Sequence, residues 1–393
     1  MQDFNNKFSR ILPKSGIRSV FDRAKEIEGE GKIVCHLEIG RPCWPSFPGT
    51  VDAVTAALTQ GFVHYIPNRG ILELRQALSS EIKNTIGIKF DPATELIVTT
   101  GASEAVCMCA LALLGADDEV IIPQPAWNHY QAVAEMAGAK VIPLNLSSDN
   151  NFLIDINQLK SIISSKTKMI VLNSPANPTG VIQPPEILKN VAEIALRNGI
   201  FVLSDEVYQD FVYGDQHCSI AKYMGDSDLF IYINSLSKSY VMTGWRIGYI
   251  AARANVSDIL NRIHQYLTVC GVSFAQKGAV SLFNNQYRHE YLKEMKKGFS
   301  EKLNIWLASL KGIPEIDLVV PKGAFYLFPK INYKNMSGRE FCEFMLEKHG
   351  VAMVPGDVFG EVYSSHIRIS YGGEIETQKR AIQKFIEVFD ENK

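Results

Sequence analysis

The sequence predicts an α/β fold: a large domain with a mixed, mainly parallel seven-stranded sheet covered by helices, joined to a smaller α+β domain. Three observations carry this expectation. Short, near-continuous apolar runs alternate with helical stretches through the middle of the chain, as in a sheet covered on both faces. After Pro314 the pattern changes to short strands with two helices. The 393 residues, 46% hydrophobic and 21% charged, exceed one comfortable hydrophobic core and suit two domains.

The elements follow in order. Ile17, Val20, Phe21, Ala24 and Ile27 form an apolar stripe at helical spacing, stopped by Gly29 and Gly31. A strand is expected over 33–39, and then Gly40, Pro42, Pro45 and Pro48 make a stiff passage of the kind that lines a site. Helices are expected at 51–58 and 70–86. Strands are expected at 96–99, 120–122, 141–143, 169–172, 201–203, 231–234 and 247–251, with intervening helices at 104–114, 128–137, 156–163 and 185–198. The last two strands are too close for a helical crossover, so that pair is open to an antiparallel arrangement and a mixed sheet. A long helical region spans 256–310, interrupted near 270–273. Beyond it come strands at 316–320, 324–327, 351–354 and 366–370 and helices at 338–349 and 374–389. The expected division is an N-terminal segment at 1–44 packing with the small domain, a large domain at 45–285 and a small C-terminal domain at 286–393.

Composition removes several function classes. A formal net charge of −2 without a Lys/Arg run gives no electrostatic reason to expect nucleic acid or an anionic membrane. Lys7, Arg10, Lys14, Arg18 and Asp22 leave no apolar core for a secretory signal, and no eighteen apolar residues run together. Seven cysteines without a CxxC pair read as a reducing, cytoplasmic setting. The eight histidines show no paired metal-ligand spacing, so no metal is expected. Triphosphate-loop, dinucleotide and serine-elbow motifs are all missing.

The chemistry concentrates where strands end. Ser235-Leu236-Ser237-Lys238-Ser239 follows an apolar strand and continues through Gly244-Trp245-Arg246-Ile247-Gly248. A lone lysine there is ordinarily a solvated turn residue. With serines on both sides and an arginine eight residues on, it fits an imine-forming lysine on a rigid element end. Ser235, Ser237 and Arg246 are then suited to hold a phosphate by charge-assisted bonds. Asp205-Glu206-Val207-Tyr208 places a carboxylate at the carboxyl end of a buried strand, the usual ligand crevice of an open sheet. Asp205 reads either as a helix cap or as the partner of a protonated ring nitrogen, with Tyr208 reaching a ring oxygen.

Asn173-Ser174-Pro175-Ala176-Asn177-Pro178-Thr179-Gly180 is a rigid turn, either a stiff connection or one that aims the Asn177 amide at that same oxygen. Gly101-Ala102-Ser103-Glu104 opens a helix where free N–H groups and the helix dipole suit a phosphate. Trp127, also a candidate for buried packing, sits where it is able to stack on a flat ring.

Together these motifs resemble the class I/II aminotransferase branch of the fold-type I pyridoxal-phosphate enzymes. The likeness runs from Ile39-Gly40 to Arg368-Ile369-Ser370, and its most specific parts are Ser-x-Ser-Lys with Gly-Trp-Arg-x-Gly, and Asn-Pro-x-Gly. The resemblance implies pyridoxal 5'-phosphate on Lys238 and Asp205 at its ring nitrogen. It implies Tyr208 and Asn177 at the ring oxygen and Trp127 stacked on the ring. The phosphate falls to Ser235, Arg246, Ala102 and Ser103, and the substrate carboxylate to Arg368 and the Gly40 backbone.

A homodimer is also implied, with Tyr65 reaching the neighbouring subunit's phosphate, although Tyr65 reads equally as an ordinary half-buried aromatic. The implied reaction moves an amino group from an aspartate-like or aromatic L-amino acid to a 2-oxo acid such as 2-oxoglutarate. The alternatives are β-elimination by a C–S lyase or another amino-acid-modifying chemistry. A regulator built on this fold needs a fused DNA-binding module, for which roughly thirty to forty residues before Gly40 are too few. In place of the acidic residues many relatives carry, Arg41 and Trp44 follow the glycine, near the expected substrate mouth.

Overall fold

The computed structural model describes residues 12, 15–214 and 216–390. Lys7, Arg10 and Lys14, with the opening of the expected 1–44 segment, lie outside the described residues. The described residues begin with α1 (Gly16–Gly29), β1 (Cys35–His36), α2 (Thr50–Thr59) and α3 (Leu72–Ile86). The alternating part follows: β2 (Leu96–Thr99), α4 (Gly101–Leu113), β3 (Glu119–Gln124), α5 (His129–Ala137), β4 (Lys140–Asn145), α6 (Ile156–Ile162) and β5 (Thr167–Asn173). It continues through α7 (Pro185–Asn198), β6 (Phe201–Asp205), α8 (Ala221–Met224), β7 (Phe230–Ser235), α9 (Leu236–Ser239) and β8 (Gly248–Ala251).

These strands make one seven-stranded sheet in the order β2-β8-β7-β6-β5-β3-β4. All neighbours run parallel except β8, which is antiparallel to both β2 and β7. The short link between β7 and β8 holds only the single turn of α9, too little to carry the chain back for a parallel partner. The sheet is therefore mixed and mainly parallel. Successive residues face opposite layers: Ile97, Val120, Ile122, Met169, Val171, Leu203, Ile231 and Ile250 pack on one side. Leu96, Val98, Ile121, Ile170, Leu172, Val202, Tyr232 and Tyr249 pack on the other. Both faces are buried, which is why the strands read as unbroken apolar runs.

Beyond the sheet the helical stretch is broken twice. It forms α10 (Ala254–Leu267), α11 (Ser273–Phe283) and α12 (Arg288–Leu310). The first break is the expected one. The second, at 284–287, corrects the single-interruption reading; Asn285 there turns its side chain back to accept from the Tyr287 N–H at 2.9 Å, which competes with helix continuation. Then come β9 (Ile316–Asp317), β10 (Tyr326–Leu327), β11 (Lys330–Ile331), α13 (Gly338–His349), β12 (Val351–Ala352), β13 (Val354–Pro355), β14 (Ile367–Ser370) and α14 (Ile375–Asp390).

These later strands are shorter than the sequence pattern indicates, and they pair as β10-β14-β13 and β11-β9. The strand expected over 33–39 shrinks to β1, which pairs in parallel with β12. Ala24 and Ile27 of α1 share a small apolar cluster with Val34, Leu346 and Ala352, and Arg23 bonds Glu347 at 2.7 Å. The N-terminal helix is thus stitched to α13 and β12.

The topology fixes the site. β5, β6 and β7 are parallel and in register, with Asn173 opposite Asp205 and Asp205 opposite Ile233. Their carboxyl ends therefore deliver Asn173, Asp205 and Ser235 to one edge of the sheet, where open α/β sheets bind ligands.

Candidate active site

At that edge lies a cavity of about 270 Å³. Its lining includes Gly40, Ala102, Ser103, Trp127 and Asn177, followed by Asp205, Tyr208, Ser235, Ser237, Lys238, Arg246 and Arg368. All the expected residues of one chain meet there, although they span more than three hundred positions. Tyr65 does not line it. Tyr65 is 87% exposed.

Lys238 stands within the single turn of α9, which Ser235 opens by accepting the Ser237 N–H at 3.1 Å. Its Nζ donates to the Gly40 carbonyl at 2.7 Å. Burial first, and then the positive neighbours Arg368 and Arg246, push the amine down to about 8 from an ordinary 10.5. Such an amine spends a usable fraction of its time neutral and nucleophilic.

Asp205, 1% exposed, accepts from the Tyr130 hydroxyl at 2.6 Å and the Val207 N–H at 3.2 Å. Burial pushes its carboxyl up to about 6, with the Tyr130 and Val207 bonds opposing. A carboxyl so placed is far more comfortable beside a cation than alone.

At the other end of the cavity, α4 begins at Gly101, whose φ of +78° suits glycine. A Cβ on Gly101 would run into the Arg246 guanidinium, and one on Gly248 would strike the Gly101 backbone. Both glycines keep Arg246 and the helix start in close approach. Arg246 donates to the carbonyls of Thr243 at 2.9 Å and Thr100 at 3.3 Å. Ser235 Oγ bonds Ser237 Oγ and the Ile247 carbonyl, each at 2.8 Å. Helix N–H groups, two hydroxyls and a guanidinium form an anion cup.

Arg368 on β14 is 1% exposed. Its Nη1 donates to Asn177 Oδ1 at 3.1 Å, its Nη2 donates to the Glu38 carbonyl, and its Nε has no partner among the described residues. The guanidinium lies 4.8 Å from the Tyr326 ring centre and 5.0 Å from that of Phe359. These rings hold a planar cation while leaving donors free.

Sequence reasoning missed Tyr130 and Tyr326. Tyr130 lies three residues after Trp127, on the first turn of α5, and its hydroxyl is the direct support of Asp205. Tyr326 meets the Tyr208 hydroxyl at 2.7 Å, and a Cβ on Gly40 would overlap its own hydroxyl. No local signal marks Tyr326, because its role comes from a β10 that the small domain folds against the sheet edge. Trp127 stacks on His129 at 4.6 Å between ring centres and lines the cavity.

Arg41 and Trp44 are absent from the cavity lining. Trp44, partly buried, packs against Gly298 and against Phe299 at 6.3 Å on α12.

Fold and site together define an enzyme that handles amino acids. The sequence matches the family described as "Aminotransferase class I and II" over residues 32–385, and this chain belongs to that family. It is 37% identical over 375 residues to an aspartate aminotransferase of Pyrococcus horikoshii, covering 95% of this chain and 94% of that one. It is 34% identical over 386 residues to aromatic-amino-acid aminotransferase 2 of Thermococcus litoralis, covering 98% and 97%. The aspartate aminotransferase of Thermus thermophilus with maleate superposes with a TM-score of 0.93 at 28% identity, covering 98% of this chain and 99% of that one. The protein is an aminotransferase, of a family that generally depends on pyridoxal 5'-phosphate.

Proposed function

We propose that this aminotransferase binds pyridoxal 5'-phosphate through Lys238 and moves an amino group from an aspartate-like or aromatic L-amino acid to a 2-oxo acid such as 2-oxoglutarate. The cavity chemistry fits that cofactor: an anion cup at one end, a buried carboxyl at the other, and an amine at about 8 between them. The observation that carries the reading is the meeting of Lys238, Asp205 and Arg368 in one cavity. The cofactor, when bound, supplies a ring that accepts the electron pair of a broken Cα–H bond.

The residues supply the rest. Arg368 holds the substrate carboxylate through its planar fork, and Asn177 keeps that fork in plane. Lys238 would hold the cofactor and, beside the substrate Cα, would move its proton, a transfer for which an amine near 8 is matched to neutral pH. Asp205 would meet the cofactor's ring nitrogen and favour its protonated form, with Tyr130 fixing the carboxyl. Burial, with Tyr326 beside it, holds Tyr208 well above the ordinary phenol, so Tyr208 acts as a hydrogen-bond donor. Ser235, Ser237, Arg246 and the first N–H groups of α4 would hold the phosphate, and Trp127 would cover the ring.

The reading includes a cytoplasmic homodimer in which Tyr65, exposed on a single chain, completes the neighbour's phosphate site. The test is a panel of amino donors in single turnover with product analysis. One oxo acid per site with retained amino nitrogen supports it. Release of ammonia with pyruvate, without an acceptor, replaces it with β-elimination.

A further inference from the structure

Behind Arg368 runs a chain of charged groups that the reaction itself does not use. Lys25 Nζ bonds Glu28 Oε2 at 2.7 Å on the exposed side of α1. Glu28 Oε1 meets His36 Nε2 at 3.1 Å, and His36 Nδ1 meets Glu38 Oε1 at 2.7 Å. Glu38 is 0% exposed, and its own backbone carbonyl accepts from Arg368 Nη2. The line from solvent to the carboxylate-gripping arginine is therefore continuous: Lys25, Glu28, His36, Glu38, Arg368.

Two buried atoms in it have no partner among the described residues, Glu38 Oε2 and Arg368 Nε. One is an acceptor carrying negative charge and the other a charged donor, on residues already joined by a backbone hydrogen bond. A carboxylate buried at 0% exposure is costly without a counter-charge. His36 is one candidate counter-charge, and Arg368 is the other.

Other charges around the segment are accounted for. Arg380 and Lys384 of α14 act on Cys35, and Lys384 donates to the His349 carbonyl at 2.6 Å. Val351 and Ala352 of β12 contribute no titratable group. Phe21 stands 6.0 Å from the His36 ring, with Arg18 and Lys25 over its own face.

We propose that Glu38 is a positioning residue for Arg368 and that His36 sets its state. Protonated His36 engages the Glu38 carboxylate and leaves the Arg368 fork facing the cavity; neutral His36 leaves that negative charge to Arg368 alone. The substrate carboxylate then competes with an internal one. The hydrogen bond from Glu38 and its charge raise the His36 imidazole above its ordinary value, against burial, with Glu28 adding to the rise. The transition consequently falls above the pH at which an exposed histidine titrates. This inference rests on Arg368 as the carboxylate grip.

The experiment uses the holoenzyme and follows KM and kcat for the 2-oxo acid, which has no amine of its own to titrate, from about pH 6 to about pH 9. In parallel, NMR follows His36 titration. In the unaltered enzyme KM is expected to rise about tenfold through the His36 transition, the scale of one pKa unit of charge interaction, while kcat shows no step that tracks the His36 titration. Glu38→Gln flattens that rise and brings the His36 titration down. His36→Gln holds KM at its high value throughout. Glu28→Gln, at the outer end where folding is least at stake, shifts both the His36 titration and the KM transition to lower pH. A Glu38→Gln or Glu28→Gln enzyme whose KM profile and His36 titration both match the parent overturns the inference. An Arg368→Lys enzyme with unchanged KM sinks the carboxylate grip itself, and this inference with it.

Discussion

Replacing Lys238 by methionine should make the cofactor-free protein more stable. The buried amine is pushed from 10.5 to about 8, and each tenfold change in protonation equilibrium is about 1.36 kcal/mol, so near pH 7 the buried ammonium costs folding roughly 3 kcal/mol relative to an exposed one. The hydrogen bond to Gly40 at 2.7 Å offsets about 1 kcal/mol of this. Methionine fills similar volume without a charge, leaving a net gain of about 2 kcal/mol.

The sign has a pH signature. The folded value is depressed, so the unfolded chain binds more protons between pH 8 and 10.5. The parent protein therefore gains stability as pH rises through that window, and its deficit against Lys238→Met closes. Urea unfolding of both cofactor-free proteins, at equal concentration near pH 7 and near pH 10, reads the effect directly. Equal stability near pH 7, or a gap that persists near pH 10, refutes the reasoning.

Gly101→Ala, at φ +78° and against the Arg246 guanidinium, should weaken cofactor affinity about tenfold or more, measured by titrating the cofactor-free protein with pyridoxal 5'-phosphate. Asp205→Asn should keep cofactor binding but slow single-turnover proton removal by about a hundredfold or more, because a neutral amide no longer holds the ring nitrogen protonated. Tyr130→Phe, which removes the 2.6 Å bond to Asp205, should cost less, about tenfold, since charge remains and only its orientation loosens. His36, raised in the folded protein by Glu38, contributes stability that is full below the ordinary histidine value and is lost as pH rises through the folded value. Glu38→Gln should diminish that loss in thermal melts across pH, with Glu28 sustaining the remainder.

Much of this was legible in the residues because the sheet is buried on both faces. Its strands had to be unbroken apolar runs, and their carboxyl ends had to deliver Asn173, Asp205 and Ser235 together. Lys238 and Arg246 could be read because they follow β7 and precede β8, where little chain separates them. The later strands are over-read: the apolar stretch at 351–354 is buried and that at 316–320 is only partly so, yet in both backbone pairing covers only two residues at a time. Burial leaves a sequence pattern and hydrogen-bond register does not. The break at 284–287 was missed since the asparagines there also sit acceptably in a helix.

Tyr326, Tyr130 and Glu38 owe their roles to partners far along the chain, and no local spacing encodes such meetings. Arg41 and Trp44 show the converse. Their nearness to Gly40 in sequence points to the substrate mouth, but Trp44 packs on Phe299 of α12 and neither lines the cavity.

The most direct measurement is borohydride reduction of the holoenzyme followed by peptide mass mapping, which fixes the cofactor covalently to whichever amine holds it. The expected result is one added cofactor mass per chain, on the peptide containing Lys238, and none in Lys238→Ala. Label on another lysine, or no label after saturation with pyridoxal 5'-phosphate, contradicts the proposed site.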